Sequence, residues 1–228
     1  MPVVRLYMLD TSKIAPDWKC YPGRISCARA QRAAALSEPA DVRRSLGVEL
    51  CLDYALRKNL PGYPGPPQYR RLPGGKPVLD SGEAHFSLAH AGDRAVCAIA
   101  SAPVGVDIER CDRDVRRLAK KVLAPGETDV LGKWVAKESF LKMTGEGLSR
   151  SMTALVAMDA EICTHSGETL ARICRLRRDG YCVCIAMEAP FEVEVFKIYA
   201  EEALTGQTEA EGRPAPPCAG MAEAPQDL

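Results

Sequence analysis

Apolar and polar positions change period several times along the chain, and each change marks an element. Val3 to Asp10 alternates closely enough for a first strand, within an apolar run too short for a signal peptide. Leu46, Leu50, Tyr54 and Leu56 recur near helical spacing, and Pro39 and Asp41 offer a start signal, so a helix is predicted from Asp41 to Asn59. Pro61-Gly62-Tyr63-Pro64-Gly65-Pro66-Pro67 ends it as a loop, and Gly74-Gly75-Lys76-Pro77 is a second turn. Ala84 to His90 alternates as a strand does, Ala91 to Arg94 turns, and Ala95 to Ala100 is a buried strand.

A second half echoes this. Val104 to Ile108 reads as strand, Glu127 to Thr144 as a helix that Gly145 stops, and Asp179-Gly180 as a hairpin turn leading into the apolar strand Tyr181 to Met187. Phe191 to Tyr199 alternates as a closing strand. Each half thus offers a long helix and a hairpin with an apolar second strand, the pattern of a weak internal duplication. From Glu201 onward large apolar residues almost vanish, so residues 201–228 are expected to be a disordered, dispensable tail.

The bulk numbers narrow the classes. The 228 residues are 46% hydrophobic, enough for one large or two small domains. Thirty basic and thirty acidic residues cancel, which disfavours nucleic acid or an acidic membrane as partner. No stretch approaches the roughly 18 apolar residues of a membrane span, so a cytoplasmic protein is expected. The ten cysteines include no C-x-x-C pair and read as reduced thiols packed as small apolar residues, with Cys182 and Cys184 facing one way.

The chemistry concentrates in two places. Asp107 and Glu109, two apart on a strand, leave one face, and two hard oxygen ligands suit magnesium. By themselves they fit a solvated edge strand better. Glu138 and Lys142, four apart, stack on one helix face, with Trp134 a turn earlier on the same side. By themselves they fit a surface ion pair better. His85 and His90 flank a short strand, and His90 sits at its end, where an imidazole can meet phosphate. Gly145-Glu146-Gly147 follows a helix and so offers no helix N-terminus to an anion.

Taken in order, Gly75-Lys76-Pro77, His85-Phe86-Ser87-Leu88-Ala89-His90, Gly105-Val106-Asp107-Ile108-Glu109 and Trp134 to Leu148 resemble the motifs of the 4'-phosphopantetheinyl transferases, specifically the two-lobed type that primes peptide and polyketide synthases. The last motif, W-x-x-K-E-S-x-x-K-x-x-G-x-G-L here, is the most specific, and the likeness spans most of residues 1–200. The resemblance implies an α+β fold of two pseudo-symmetric lobes, each a small antiparallel sheet packed on a long helix, with the active site between them. The division would be residues 1–103, 104–200 with the magnesium site, and the tail 201–228. It implies transfer of the phosphopantetheine arm of coenzyme A to a serine of an acyl or peptidyl carrier protein, by a monomer, with release of 3',5'-ADP.

By that likeness Asp107, Glu109 and Glu138 hold Mg2+, and Lys142 contacts phosphates. Asp107, Glu138 and Lys142 are then catalytic, and Glu138 takes the serine proton, directly or through water. Lys76 and Pro77 border the nucleotide, His90 touches a phosphate, and Arg29, Arg32 and Arg44 hold the 3'-phosphate. Ala89 stands where relatives often have serine, leaving Ser87 or a backbone group to supply that hydrogen bond. Only 28 residues separate Glu109 from Glu138, fewer than in larger relatives, in the region that helps receive the carrier. The residues alone also allow a magnesium-dependent phosphodiesterase or nuclease, or a non-catalytic coenzyme A- or carrier-binding protein.

Overall fold

The computed structural model describes residues 1–201 and 213–214. In chain order the elements are β1 (Val3–Asp10), α1 (Cys27–Ala34), α2 (Pro39–Asn59), β2 (Tyr69–Arg71), β3 (Pro77–Leu79), β4 (His85–Ala91), β5 (Arg94–Ala100) and β6 (Val104–Arg110). Then come α3 (Ala119–Val122), α4 (Val130–Thr144), β7 (Val156–Ala157), β8 (Glu161–Cys163), β9 (Thr169–Arg178), β10 (Tyr181–Met187), β11 (Glu192–Ile198) and β12 (Arg213–Pro214). The expected disordered tail falls on residues outside those described, apart from Glu201 and the Arg213–Pro214 pair on the β11 edge.

The strands form two five-stranded sheets, β12-β11-β1-β5-β4 and β6-β10-β9-β8-β7, plus the hairpin β2-β3. The period of 2 sorts their side chains onto two faces. In β1, Val4, Leu6 and Met8 join Val96 and Ala98 of β5, and Val106, Ile108, Val183 and Ile185 of the second sheet, in a core shared by both sheets. The opposite face, with Tyr7, Leu9, Cys97 and Ile99, packs under Leu46, Leu50 and Tyr54 of α2. On the second sheet Cys182, Cys184 and Ala186 pack under Val135, Phe140 and Leu141 of α4. The alternating cysteines therefore share a face and are packing residues.

The two sheets meet along β4 and β6, where the Ser87 hydroxyl accepts the Val106 N–H at 3.0 Å. Helices α2 and α4 lie on the outer faces, to either side of this seam. Two glycines permit the approach of α4. A Cβ on Gly105 would lie 1.8 Å from the Ser139 carbonyl, so β6 touches the helix backbone there. A Cβ on Gly74 would lie 1.8 Å from the Gly145 carbonyl, which brings the turn after β2 against the end of α4.

Several boundaries differ from expectation for local reasons. Helix α2 starts at Pro39, whose missing N–H costs nothing in a first turn. Helix α4 starts at Val130, because Asp129 caps it and Glu127 is spent on the backbone N–H groups of Ala124 and Ala157. The Asp179-Gly180 turn has φ of 51° and 80°, the left-handed pair of a type I′ hairpin. The closing strand β11 does not stay with the second sheet. It crosses back to run parallel to β1, pairing Tyr7 with Phe196, whose rings stack at 5.0 Å. The first sheet is thus not purely antiparallel. A strand arriving from the far half of the chain has no hairpin to β1 and can enter parallel to it.

Candidate active site

Between α2 and α4, over the β4–β6 seam, lies a cleft of about 420 Å³. Its walls come from both halves: Val48 of α2, Leu88 and His90 of β4, the 69–77 hairpin, and Glu138 and Lys142 of α4.

The acidic end follows from alternation on β6. With Val104, Val106 and Ile108 committed to the shared core, Gly105, Asp107 and Glu109 must face α4. Glu138 and Lys142 stand one turn apart on that helix and meet them. Lys142 Nζ donates to Asp107 Oδ1 at 2.7 Å. Asp107 Oδ2 is buried and has no hydrogen-bond partner among the described residues. Arg113 pairs with Glu109, and its guanidinium lies 5.6 Å over the Trp134 ring, whose indole also hydrogen-bonds Glu109.

All three carboxyls are held above the ordinary carboxylate range. For Asp107 the cause is burial, opposed by Lys142. For Glu109 and Glu138 it is burial first and then the charge of Asp107.

Among the described residues, however, no three His, Cys, Asp or Glu side chains stand in an arrangement that could hold a metal ion. Two of the acids are already answered by Lys142 and Arg113. The orphaned Asp107 Oδ2 and the oxygen-only donor set fit magnesium held by one or two carboxylates and completed by water and phosphate. They do not amount to a preformed three-acid cage.

The basic end is only partly as expected. His90 lines the cleft, and its pKa is lowered by desolvation, then by Arg44, Lys142 and Arg29. His85 lies outside the cleft lining. Lys76 and Pro77 line it, but the Lys76 ammonium donates to the carbonyls of Val104 (3.3 Å) and Met143. A cation on the Met143 carbonyl, in the last turn of α4, also complements the helix end. Burial brings its pKa down to about 8.

The three arginines divide. Arg29 lines the cleft, yet its buried guanidinium is held by Glu49 (2.9 Å), Ser45 and Tyr69. Arg44 pairs with Asp41 beside His90. Arg32 is exposed on α1, outside the lining. Helix α1 itself was not anticipated: Ala30 and Ala33 are its buried apolar residues, a weak stripe. Ser87 lines the cleft, and its hydroxyl keeps a proton to donate while accepting from Val106. Tyr69, Arg71 and Arg113 were missed altogether. The alternation of Tyr69 and Arg71 before a double glycine was the available signal.

Residues 103–193 match the family described as the 4'-phosphopantetheinyl transferase superfamily. The chain is 37% identical over 89 residues to 4'-phosphopantetheinyl transferase Sfp of Bacillus subtilis, covering 33% of this chain and 40% of that protein. It is 28% identical over 176 residues to a putative 4'-phosphopantetheinyl transferase of Synechocystis sp., covering 68% of this chain and 70% of that one. With 4'-phosphopantetheinyl transferase HetI of Nostoc sp. it shares 31% over 119 residues, 42% of this chain and 50% of HetI. The matched stretch thus spans less than half the length of Sfp.

Proposed function

We propose that this chain, whose residues 103–193 belong to the 4'-phosphopantetheinyl transferase superfamily, transfers the phosphopantetheine moiety of coenzyme A to a serine of an acyl or peptidyl carrier protein. Apo carrier becomes holo carrier and 3',5'-ADP is released. The two halves, residues 1–103 and 104–200, are read as pseudo-symmetric lobes of that family's fold, acting as a cytoplasmic monomer. No described helix is long and apolar enough to cross a membrane. The observation that carries the reading is one cleft with cations on both walls and Glu138 in its lining, while Asp107 and Glu109 stay outside the lining and Asp107 is reached through Lys142.

The residues divide the work. The anionic diphosphate of coenzyme A enters between Lys142, His90 and Lys76. Lys142, now on Asp107 Oδ1, is the ammonium for which phosphate oxygens compete. Glu138 makes no hydrogen bond among the described residues and has a raised pKa. It is suited to take the carrier serine's proton, as a base must have affinity for it near working pH. The serine oxygen then bonds to the β-phosphorus, the bond to the bridging oxygen breaks, and the departing 3',5'-ADP carries the negative charge. Asp107, Glu109 and Glu138 are the residues that would hold magnesium, which when bound neutralises charge on that bridging oxygen.

The test is to incubate the protein with apo carrier, coenzyme A and magnesium and weigh the carrier. A phosphopantetheine adduct is expected. Unmodified carriers with hydrolysis of the nucleotide instead would favour a phosphodiesterase.

A further inference from the structure

Two of the three clustered acids already carry an internal cation, and the two cations are unlike. Lys142 belongs to the cleft lining and to the helix that bears Glu138, and its Nζ donates to Asp107 Oδ1 at 2.7 Å. Arg113 lies outside the lining, on the turn that follows β6, and pairs with Glu109 four residues back. Its side chain is 41% exposed, against 15% for that of Glu109. Its charge also reaches Asp107.

The turn is built so that this arginine returns to the acids while its neighbours do not. The Cys111 N–H donates to the Gly180 carbonyl at 2.9 Å, which carries the β6–β10 ladder one residue past Arg110. The Arg113 N–H then closes the turn on the Arg110 carbonyl at 3.1 Å. The flanking arginines are used locally. Arg110 Nε donates to Asp112 at 2.8 Å, and Arg116 Nη2 donates to Asp114 at 2.8 Å. Arg113 instead lies 5.6 Å over the Trp134 ring, and the Trp134 indole hydrogen-bonds the same Glu109. A planar guanidinium is suited to both contacts at once, stacking on an aromatic face while donating to a carboxylate. An ion pair with so exposed a partner is weak and is readily exchanged.

We propose that Arg113 sets the divalent-cation affinity of the acidic cluster, an inference that rests on Asp107, Glu109 and Glu138 being the magnesium-holding residues. Arg113 acts as a built-in counter-cation. It must release Glu109, and the Trp134 ring with it, before that carboxylate can ligate an ion. The guanidinium and a dication carry like charge, so they do not share one carboxylate at contact distance. The cluster therefore binds an ion less tightly than its three acids would without Arg113, and Trp134 senses the exchange.

The experiment is titration of the full chain with magnesium chloride, without coenzyme A or carrier, in about 0.15 M salt to screen distant charges. Calorimetry gives the affinity. The chain has two tryptophans, so a Trp18→Phe background leaves Trp134 emission as a second readout. In that background magnesium should change the emission as Arg113 leaves the ring. Arg113→Gln should bind magnesium about tenfold more tightly, with most of the emission change lost. Arg113→Lys keeps a charge but stacks less well, and should fall between the two, which covers the case of a poorly folded Arg113→Gln chain. Arg116→Gln removes the same charge from a side chain paired with Asp114 and should leave the affinity at the parent value. Equal or weaker magnesium binding in Arg113→Gln and Arg113→Lys overturns the proposal, and conversion of apo carrier by the parent chain would still uphold the transferase reading. A parent chain that binds no magnesium by either readout overturns the proposal together with the magnesium assignment of the three acids.

Discussion

Glu49 on α2 and Asp107 facing α4 are both buried acids under a long helix, and the molecule treats them oppositely. Glu49 is fully answered. Its Oε1 accepts the Ser26 N–H at 2.7 Å, and its Oε2 accepts Arg29 Nε and the Tyr69 hydroxyl, each at 2.9 Å. Together these bonds tie α1 and β2 to α2. Asp107 has one oxygen on Lys142 and one without a hydrogen-bond partner among the described residues, and two further carboxyls stand close enough to feel its charge. A satisfied buried acid contributes to the fold. An unsatisfied one beside like charges costs stability and persists where a ligand answers it. The buried acid of the first half therefore serves the scaffold, and the buried acid of the second serves the chemistry.

The comparison breaks most visibly at the acids themselves. Asp107→Asn and Glu138→Gln should each slow transfer to the carrier at least about a hundredfold, with melting temperatures at or above that of the parent chain, since each removes a charge that burial disfavours. Near-normal conversion of apo carrier in either variant would refute their role. Glu49→Gln should do the reverse. It leaves Arg29 buried without its counter-charge and should cost about 3 kcal/mol of stability, seen as a lower urea midpoint, while the rate per folded molecule is retained. A stable Glu49→Gln chain would show that the network is not structural.

Gly105→Ala probes the join between strand and helix. Its Cβ would fall 1.8 Å from the Ser139 carbonyl, so α4 must shift. We expect about 1–3 kcal/mol of destabilisation, together with a fall in kcat as Glu138 moves from Asp107. Unchanged activity in a destabilised chain would separate the two.

The smallest effect is at His90. Its pKa lies below the ordinary 6.5 in the free protein, through desolvation and three neighbouring cations, and an arriving phosphate raises it. Binding then takes up a proton, so coenzyme A affinity should strengthen as pH falls through the bound-state value toward the lower free-state value. His90→Gln should flatten that slope. A parent chain with no such slope would place His90 away from phosphate.

Much of the site was legible because local periods carry it. A run of Val, Val and Ile at 104, 106 and 108 fixes one face of β6 in the core and so turns Asp107 and Glu109 to the other. Four-residue spacing puts Glu138 and Lys142 on one side of α4 without any knowledge of the partner. The two long helices and both apolar hairpin strands followed from the same reasoning. What escaped it was pairing across distance. Nothing near Lys76 indicates that its ammonium will sit on the Met143 carbonyl, or that Gly74 is glycine because Gly145 lies against it. Arg29 looked like a phosphate ligand because Glu49 is twenty residues away in the chain.

By itself the sequence determined which side chains share a face and which turns must be left-handed, since these follow from the 2.0 and 3.6 residue periods and from what glycine permits. The tertiary structure alone decided which charges are cancelled, which stand open in the cleft, and that β11 returns to the first sheet. The energy of a charge depends on what lies within a few ångströms in space, and the neighbours that answer it come from distant parts of the chain.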